Sequence, residues 1–224
     1  MFVLTVDQRG SRRDVDRVAD LLTALQDVPL VRPFDRTAGD EVQAVADDPA
    51  LVVDLVLDLL RRERWSIGVG IGPVETPLPE QTRAGRGPAF EHARTAVERA
   101  KSAPGQVTAE GDDPEATADV DAALTLLATV VLRRTEQGHE AVDLARQGLS
   151  QARIAERLDI SKQAVSQRLA TAGWQAELAG RELVRRLLER PIVDRPLTWC
   201  AWPSPLSHPR SRCARACRCG RPPR

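Results

Sequence analysis

Residues 148–174, GLSQARIAERLDISKQAVSQRLATAGW, meet several independent local requirements at once and restrict the rear half of the chain more than any other stretch. Ser150 stands where its hydroxyl can accept from the orphan amides of a first helical turn. Ile154 and Leu158 then share one face of that helix. Ala155 falls where two helices cross and a larger side chain would hold them apart. Asp159 takes the turn position that usually prefers glycine, and aspartate tolerates the left-handed backbone better than most residues. Ile160 plugs the turn, Ser161 caps the second helix, and Val165, Leu169 and Ala172 point back inward. The spacing predicts two short helices joined by a tight turn, with a further helix over QAELAGRELVRRLLER and no strand-turn-strand wing.

The second helix is left with a polar outward face. Gln163 and Gln167 lie at its centre, Lys162 and Ser166 on one flank and Arg168 on the other. Glutamine can bond adenine bidentately in the major groove, and lysine or arginine can reach phosphate or guanine. The arrangement resembles a helix-turn-helix. Ser161, Lys162, Gln163, Ser166, Gln167 and Arg168 are the candidate contacts to double-stranded DNA. The alternative is a helical hairpin with a solvated face, and the alanine crossing together with ISKQAVSQRL favours DNA. Residues 139–190 carry 9 Lys/Arg against 7 Asp/Glu, a mild excess that argues against tight DNA binding by a monomer.

The front half has a different character. Across the chain 32 basic and 32 acidic residues cancel, but residues 1–114 hold 14 of the former and 20 of the latter, which fits two units with different partners. FVLTV, residues 2–6, predicts a buried strand ending at Asp7. An amphipathic helix is expected from Asp14, with Val15, Val18, Leu21, Leu22 and Leu25 on one face and Pro29 at its end. FDRTAGDEVQAV predicts a hairpin, strands 30–36 and 41–46, with Asp40 and Glu41 at its tip. A second helix covers residues 49–63. In WSIGVGIGPVET, Ile67, Val69 and Ile71 alternate with Gly68, Gly70 and Gly72. A glycine row admits something close to the sheet, a packed helix or a ligand, and the helix is favoured. After a Pro/Gly loop over 73–87 come a helix at 88–102 and a short strand in GQVTAEG.

The element order β-α-β-β-α-β, then α-β, implies an α+β sheet of ferredoxin-like type. That topology sets the end of the first strand beside the start of the third, and so Asp7 near Asp40. QVTAEGDDPEATA, 106–118, reads as a linker. A long helix then runs from about Glu115 to Gln137, with Val120, Leu124, Leu127, Val131 and Leu132 apolar and Gly138 at its end. This face predicts a homodimer with Leu124, Leu127 and Val131 near the subunit contact. Its alternative use is packing on the chain's own last helix.

The first ten residues lack a basic start and a long apolar run, which argues against a signal peptide, and no stretch approaches a membrane span. A cytoplasmic location without membrane partners is expected. The end, CAWPSPLSHPRSRCARACRCGRPPR, holds all four cysteines and six arginines with no acid, and implies disorder over 191–224. Cys213, Cys217, Cys219 and His208 lack the paired Cys-x-x-Cys of a typical zinc ribbon. The abrupt change in composition also suits an out-of-frame reading of the gene's end.

Taken in order, VDQRGSR, TAGDEVQAV, WSIGVGIGPVE, GRGPAFEHARTAVERAK and the 148–174 segment resemble the SatD family of bacterial proteins, over about residues 2–190. The second-half motif alone is also similar to those of MarR-type and sigma-factor-type regulators. The resemblance implies a DNA-binding regulator with a ferredoxin-like domain over 1–112 and an all-α helix-turn-helix domain over 115–190. The front half is similar in layout to class III nucleotide cyclases and diguanylate cyclases. That likeness makes Asp7 and Asp40 candidate ligands for Mg2+ or Mn2+ and a nucleotide the candidate effector. It departs at FEHARTA, where Glu91 stands at the asparagine expected of cyclases and Arg94 is one position from the expected arginine. The doubled glycine of the diguanylate cyclase hairpin is missing too. A sensor or dimerisation domain without cyclase chemistry follows, with no catalytic residue assigned. The alternative is a metal-dependent nucleotide-handling enzyme with an accessory DNA-binding module.

Overall fold

The structure, a computed structural model, describes residues 1–11 and 15–190. Its central strand, β1 (Phe2–Gln8), is buried along almost its whole length, as an unbroken apolar run requires. It pairs antiparallel with β3 (Glu41–Ala46) on one side and β4 (Trp65–Ile71) on the other. β2 (Arg32–Ala38) joins β3 antiparallel at one edge, and β5 (Val107–Gly111) joins β4 in parallel at the other. The five strands form one mixed sheet in the order β2-β3-β1-β4-β5. Eight helices accompany it among the described residues, so the fold is α+β.

One face of the sheet carries Leu4, Val6, Val42, Ala44, Ile67 and Val69 into the main core. α1 (Val18–Leu25), α2 (Pro49–Arg61) and α4 (Pro114–Leu132) supply the apolar side chains that meet them. α2 starts cleanly because the Asp48 carboxylate accepts from the Ala50 amide at 2.8 Å and Pro49 is preset for a first turn. The other face receives α3 (Pro88–Ala100). A Cβ at Gly68 would run into the backbone of Ala93 and Val97, and one at Gly70 into that of Ala89 and Ala93. The glycine row thus admits a helix, the favoured of the two readings.

Several boundaries differ from the pattern. α1 begins at Val18 rather than Asp14, and Val15 is exposed. The cause is the buried side chain of Gln8. Its Nε2 donates to the Val15 carbonyl at 2.7 Å and its Oε1 accepts from the Arg17 amide at 2.9 Å. These bonds hold residues 15–17 out of the helix. Residues 106–118 are not a linker: they contain β5 and the start of α4. Asp113 caps that start, accepting from the amides of Glu115 and Ala116 at 3.0 Å each. α4 stops at Leu132, short of Gln137. Thr135 caps a new helix, α5 (Glu136–Arg146), by accepting from the Gly138 amide at 3.2 Å. Gly138 lies inside α5, where a Cβ would press on the Arg134 side chain.

The α4 face is occupied within the chain. Leu124, Leu127 and Val131 are between 1% and 3% exposed, in the same core as Val184, Leu187 and Leu188 of α8 (Trp174–Leu188). The subunit contact expected at these three residues is therefore replaced by the chain's own last helix, and Gly180 lets α8 close upon Leu127. α6 (Gln151–Leu158) and α7 (Lys162–Thr171) follow the expected pattern closely. Ser150 accepts from the Arg153 amide at 3.4 Å, Asp159 is left-handed at φ 52°, and Ser161 accepts from the Ala164 amide at 3.1 Å. Ile154, Ala155, Val165, Leu169 and Ala172 share a second, smaller core with Ala141 and Val142 of α5. Among the described residues no helix is long and apolar enough to cross a membrane. The tail over 191–224, with Cys213, Cys217, Cys219 and His208, lies outside the described residues.

Candidate functional site

Two surfaces hold the residues singled out by sequence. The first is α7. Its inward residues Val165 and Leu169 are buried, while Ser161, Lys162, Gln163, Ser166 and Gln167 are exposed and Arg168 is half-buried. All six expected residues lie on one short helix or its cap. Ser161 spends its hydroxyl oxygen on the cap itself. Neither Lys162 nor Arg168 pairs with a carboxylate among the described residues.

The second surface lies at the end of β1. The register sets Asp7 opposite Glu41, and the Gln8 amide donates to the Asp40 carbonyl at 3.1 Å. Asp7 and Asp40 meet there in a cleft of about 690 Å³, with Arg9, Ser11, Ser66 and Lys101 also in its wall. Lys101, the residue that ends α3, places its Nζ 3.3 Å from Asp7 Oδ2 and 2.7 Å from Glu98 Oε1. Burial pushes the Asp7 carboxyl above the usual range. Lys101 opposes that shift, and the charges of Asp40 and Glu41 add to it. Burial works against the charge on Lys101 as well, but Glu98 and Asp7 outweigh it and hold its pKa above the ordinary value. Glu41 is committed to its own hairpin, accepting from Thr37 Oγ1 at 2.6 Å. Among the described residues the Ser66 hydroxyl in the cleft wall is buried without a hydrogen-bond partner, a state that is costly unless a ligand or water completes it.

Two carboxylates suit a magnesium-type ion only when the ion brings further oxygens, because such ions keep waters or substrate phosphates around one or two protein ligands. No group of three or more His, Cys, Asp or Glu suited to a metal occurs among the described residues, and Lys101 already stands against Asp7. Glu91, Arg94, Arg83 and Arg86 do not line the cleft. The cleft is bordered by Lys101, just past the end of α3, rather than by the first turn of that helix, where Glu91 sits. Arg83 faces Asp35 at 3.8 Å. Lys101 is the cleft residue that pattern reading missed. A usable signal was present: the chain has only two lysines, and the other is Lys162 on α7.

A third cluster is structural. Glu177 on α8 is fully buried and accepts from Arg134 at 2.6 Å, from Arg181 at 2.8 Å and from Arg146. Arg134 also donates Nε to the Ala172 carbonyl at 3.0 Å, just beyond α7, and Arg181 pairs with Asp54 of α2. One carboxylate thus links α8 to the α4–α5 junction and to the end of α7. Arg181 extends the link to a helix of the sheet's main core. Nothing in the local pattern announces it, because Arg134 lies 43 residues from Glu177 and Asp54 lies 127 residues from Arg181. Comparison with known proteins adds no relative: no family model, no curated protein and no solved structure matches the chain.

Proposed function

We propose that the protein is a DNA-binding transcriptional regulator, in line with its resemblance to the SatD family. The carrying observation is α7, a helix with a buried inward row, an exposed outward row of Gln163, Ser166 and Gln167, and beside them Lys162 and Arg168, unpaired among the described residues. In this reading α6 and α7 are a helix-turn-helix and α7 enters the major groove. The first eight elements are its ferredoxin-like sensor part, a reading supported by β1 standing between β3 and β4. Binding-site selection from random duplexes, followed by titration, tests it. Gln163→Ala and Gln167→Ala should each cost about 1–3 kcal/mol at the selected site and relax base preference there. Unchanged site binding by the double variant would sink the assignment of α7 as the reading helix.

The cleft at Asp7 and Asp40 is read as the sensor's ligand site, on the strength of the orphaned Ser66 hydroxyl in its wall. A nucleotide with Mn2+ or Mg2+ is the ligand class that suits two carboxylates beside Lys101 and Arg9. The expected result with ATP or GTP plus manganese is binding that Asp40→Ala weakens, with no cyclic or dinucleotide product. Product that forms with the natural chain and vanishes in Asp40→Ala would make the protein an enzyme instead.

A further inference from the structure

α7 stands as a ridge between two grooves. One, of about 580 Å³, runs along its Ser166 and Ala170 side, against Leu149, Gln151 and Trp174, and no charged side chain among the described residues lines it. The other, of about 410 Å³, lies between α7 and the α4–α5 junction. Among the described residues its walls carry Arg133, Arg134, Gln137, Gln167 and Arg168, and no carboxylate. Arg134 is consumed by Glu177 and the Ala172 carbonyl. Arg133 and Arg168 are left without an ion-pair partner among the described residues, and Arg133 is exposed. Two unpaired guanidinium groups converge there beside Gln167, in an acid-free groove alongside the exposed row. A guanidinium presents a planar fork of donors that matches a phosphate better than any other side chain does.

We infer that this groove receives the phosphodiester backbone of duplex DNA, with Arg133 a positioning residue that anchors one strand beside the bases facing α7. The inference rests on the DNA-binding reading above. It separates two kinds of contact. Gln163 and Gln167 distinguish sequences, whereas Arg133 holds any duplex in register and carries no base preference. Arg133 lies outside the expected helix-turn-helix, at the residue that closes α4. The break between α4 and α5 thereby acquires a use, since an unbroken helix to Gln137 would not turn the chain at this groove.

The test is a fluorescence-anisotropy titration of the full chain on a labelled duplex of mixed sequence over a series of salt concentrations. Arg133→Ala should weaken every duplex together and lower the slope of log K against log salt by about 0.9. Arg133→Lys, which keeps the charge, should retain the slope. A natural chain that binds, beside an Arg133→Ala variant with the same affinity and slope, overturns the inference and leaves the DNA-binding reading intact. A natural chain that binds no duplex at any salt overturns both. Because Arg133 is exposed and contributes to neither core, its variants should melt like the parent, and a charge-dependent slope is not something a merely structural role would produce.

Discussion

Glu177→Ala should destabilise the chain by about 3–5 kcal/mol, the range for removing one partner of a buried ion pair, and urea unfolding measures it. The size follows from what is left behind. Arg134, almost fully buried, and the partly buried Arg146 and Arg181 would lose their common acceptor. Replacing a whole buried cluster by apolar residues can be neutral, but removing only its carboxylate leaves the cations uncompensated. Loosening is expected first where the cluster acts, between α8, the α4–α5 junction and the end of α7, so hydrogen exchange should rise there before it rises in the sheet. A variant as stable as the parent would show that the cluster holds nothing together.

The same carboxylate sets an acid limit. Burial alone would raise the Glu177 pKa, but hydrogen bonds from Arg146, Arg181 and Arg134 outweigh it and bring it from 4.5 to about 2. A depressed folded-state pKa contributes stability that is complete above the unfolded value. That contribution fades as pH falls from about 4.5 through about 2 and is worth about 3 kcal/mol in total. The unfolding free energy should fall steeply across that window, and the fall should be shallower in Glu177→Gln.

What sequence could and could not disclose divides along physical lines. Capping and turn chemistry are local. Ser150, Asp159 and Ser161 act within four residues of themselves and were legible, as were the apolar run that buries β1 and the alternation along β4. Asp7 and Asp40 came together because strand order constrains them. The misplaced start of α1 has a different cause: a side chain from the preceding strand overrode the local pattern. Gln8 delays α1 through Val15 and Arg17. The apolar row of α4 told that it would be covered but not by what, since α8 and a second subunit ask for the same residues. Lys101 and Glu177 act at distances along the chain that no periodicity encodes, and both were found only in three dimensions.

Gly70→Val should cost about 3 kcal/mol, the upper end for forcing volume into a packed site, even though valine is a better strand former than glycine. Local propensity and tertiary packing therefore make opposite forecasts. A Cβ at Gly70 meets the Ala89 carbonyl, the Ala93 amide and the Ala93 methyl. Two of those three are backbone, so trimming Ala93 to glycine should not rescue the variant. α3 would have to lift off the sheet. By contrast, Gly39→Ala adds a methyl to open space and carries only left-handed backbone strain at φ 58°, about 1 kcal/mol. Thermal melting of the two variants separates close approach from conformational freedom as the reason for each glycine. The Gly70 variant should also act at a distance. Lys101 rides on the end of α3 and faces Asp7, so a displaced α3 withdraws the cation from the cleft. Ligand binding at Asp7 and Asp40 should weaken in Gly70→Val and be unchanged in a variant such as Leu169→Ala, whose packing defect lies in the other core. Equal stability of Gly70→Val and the parent would mean that α3 does not sit on β4 as described.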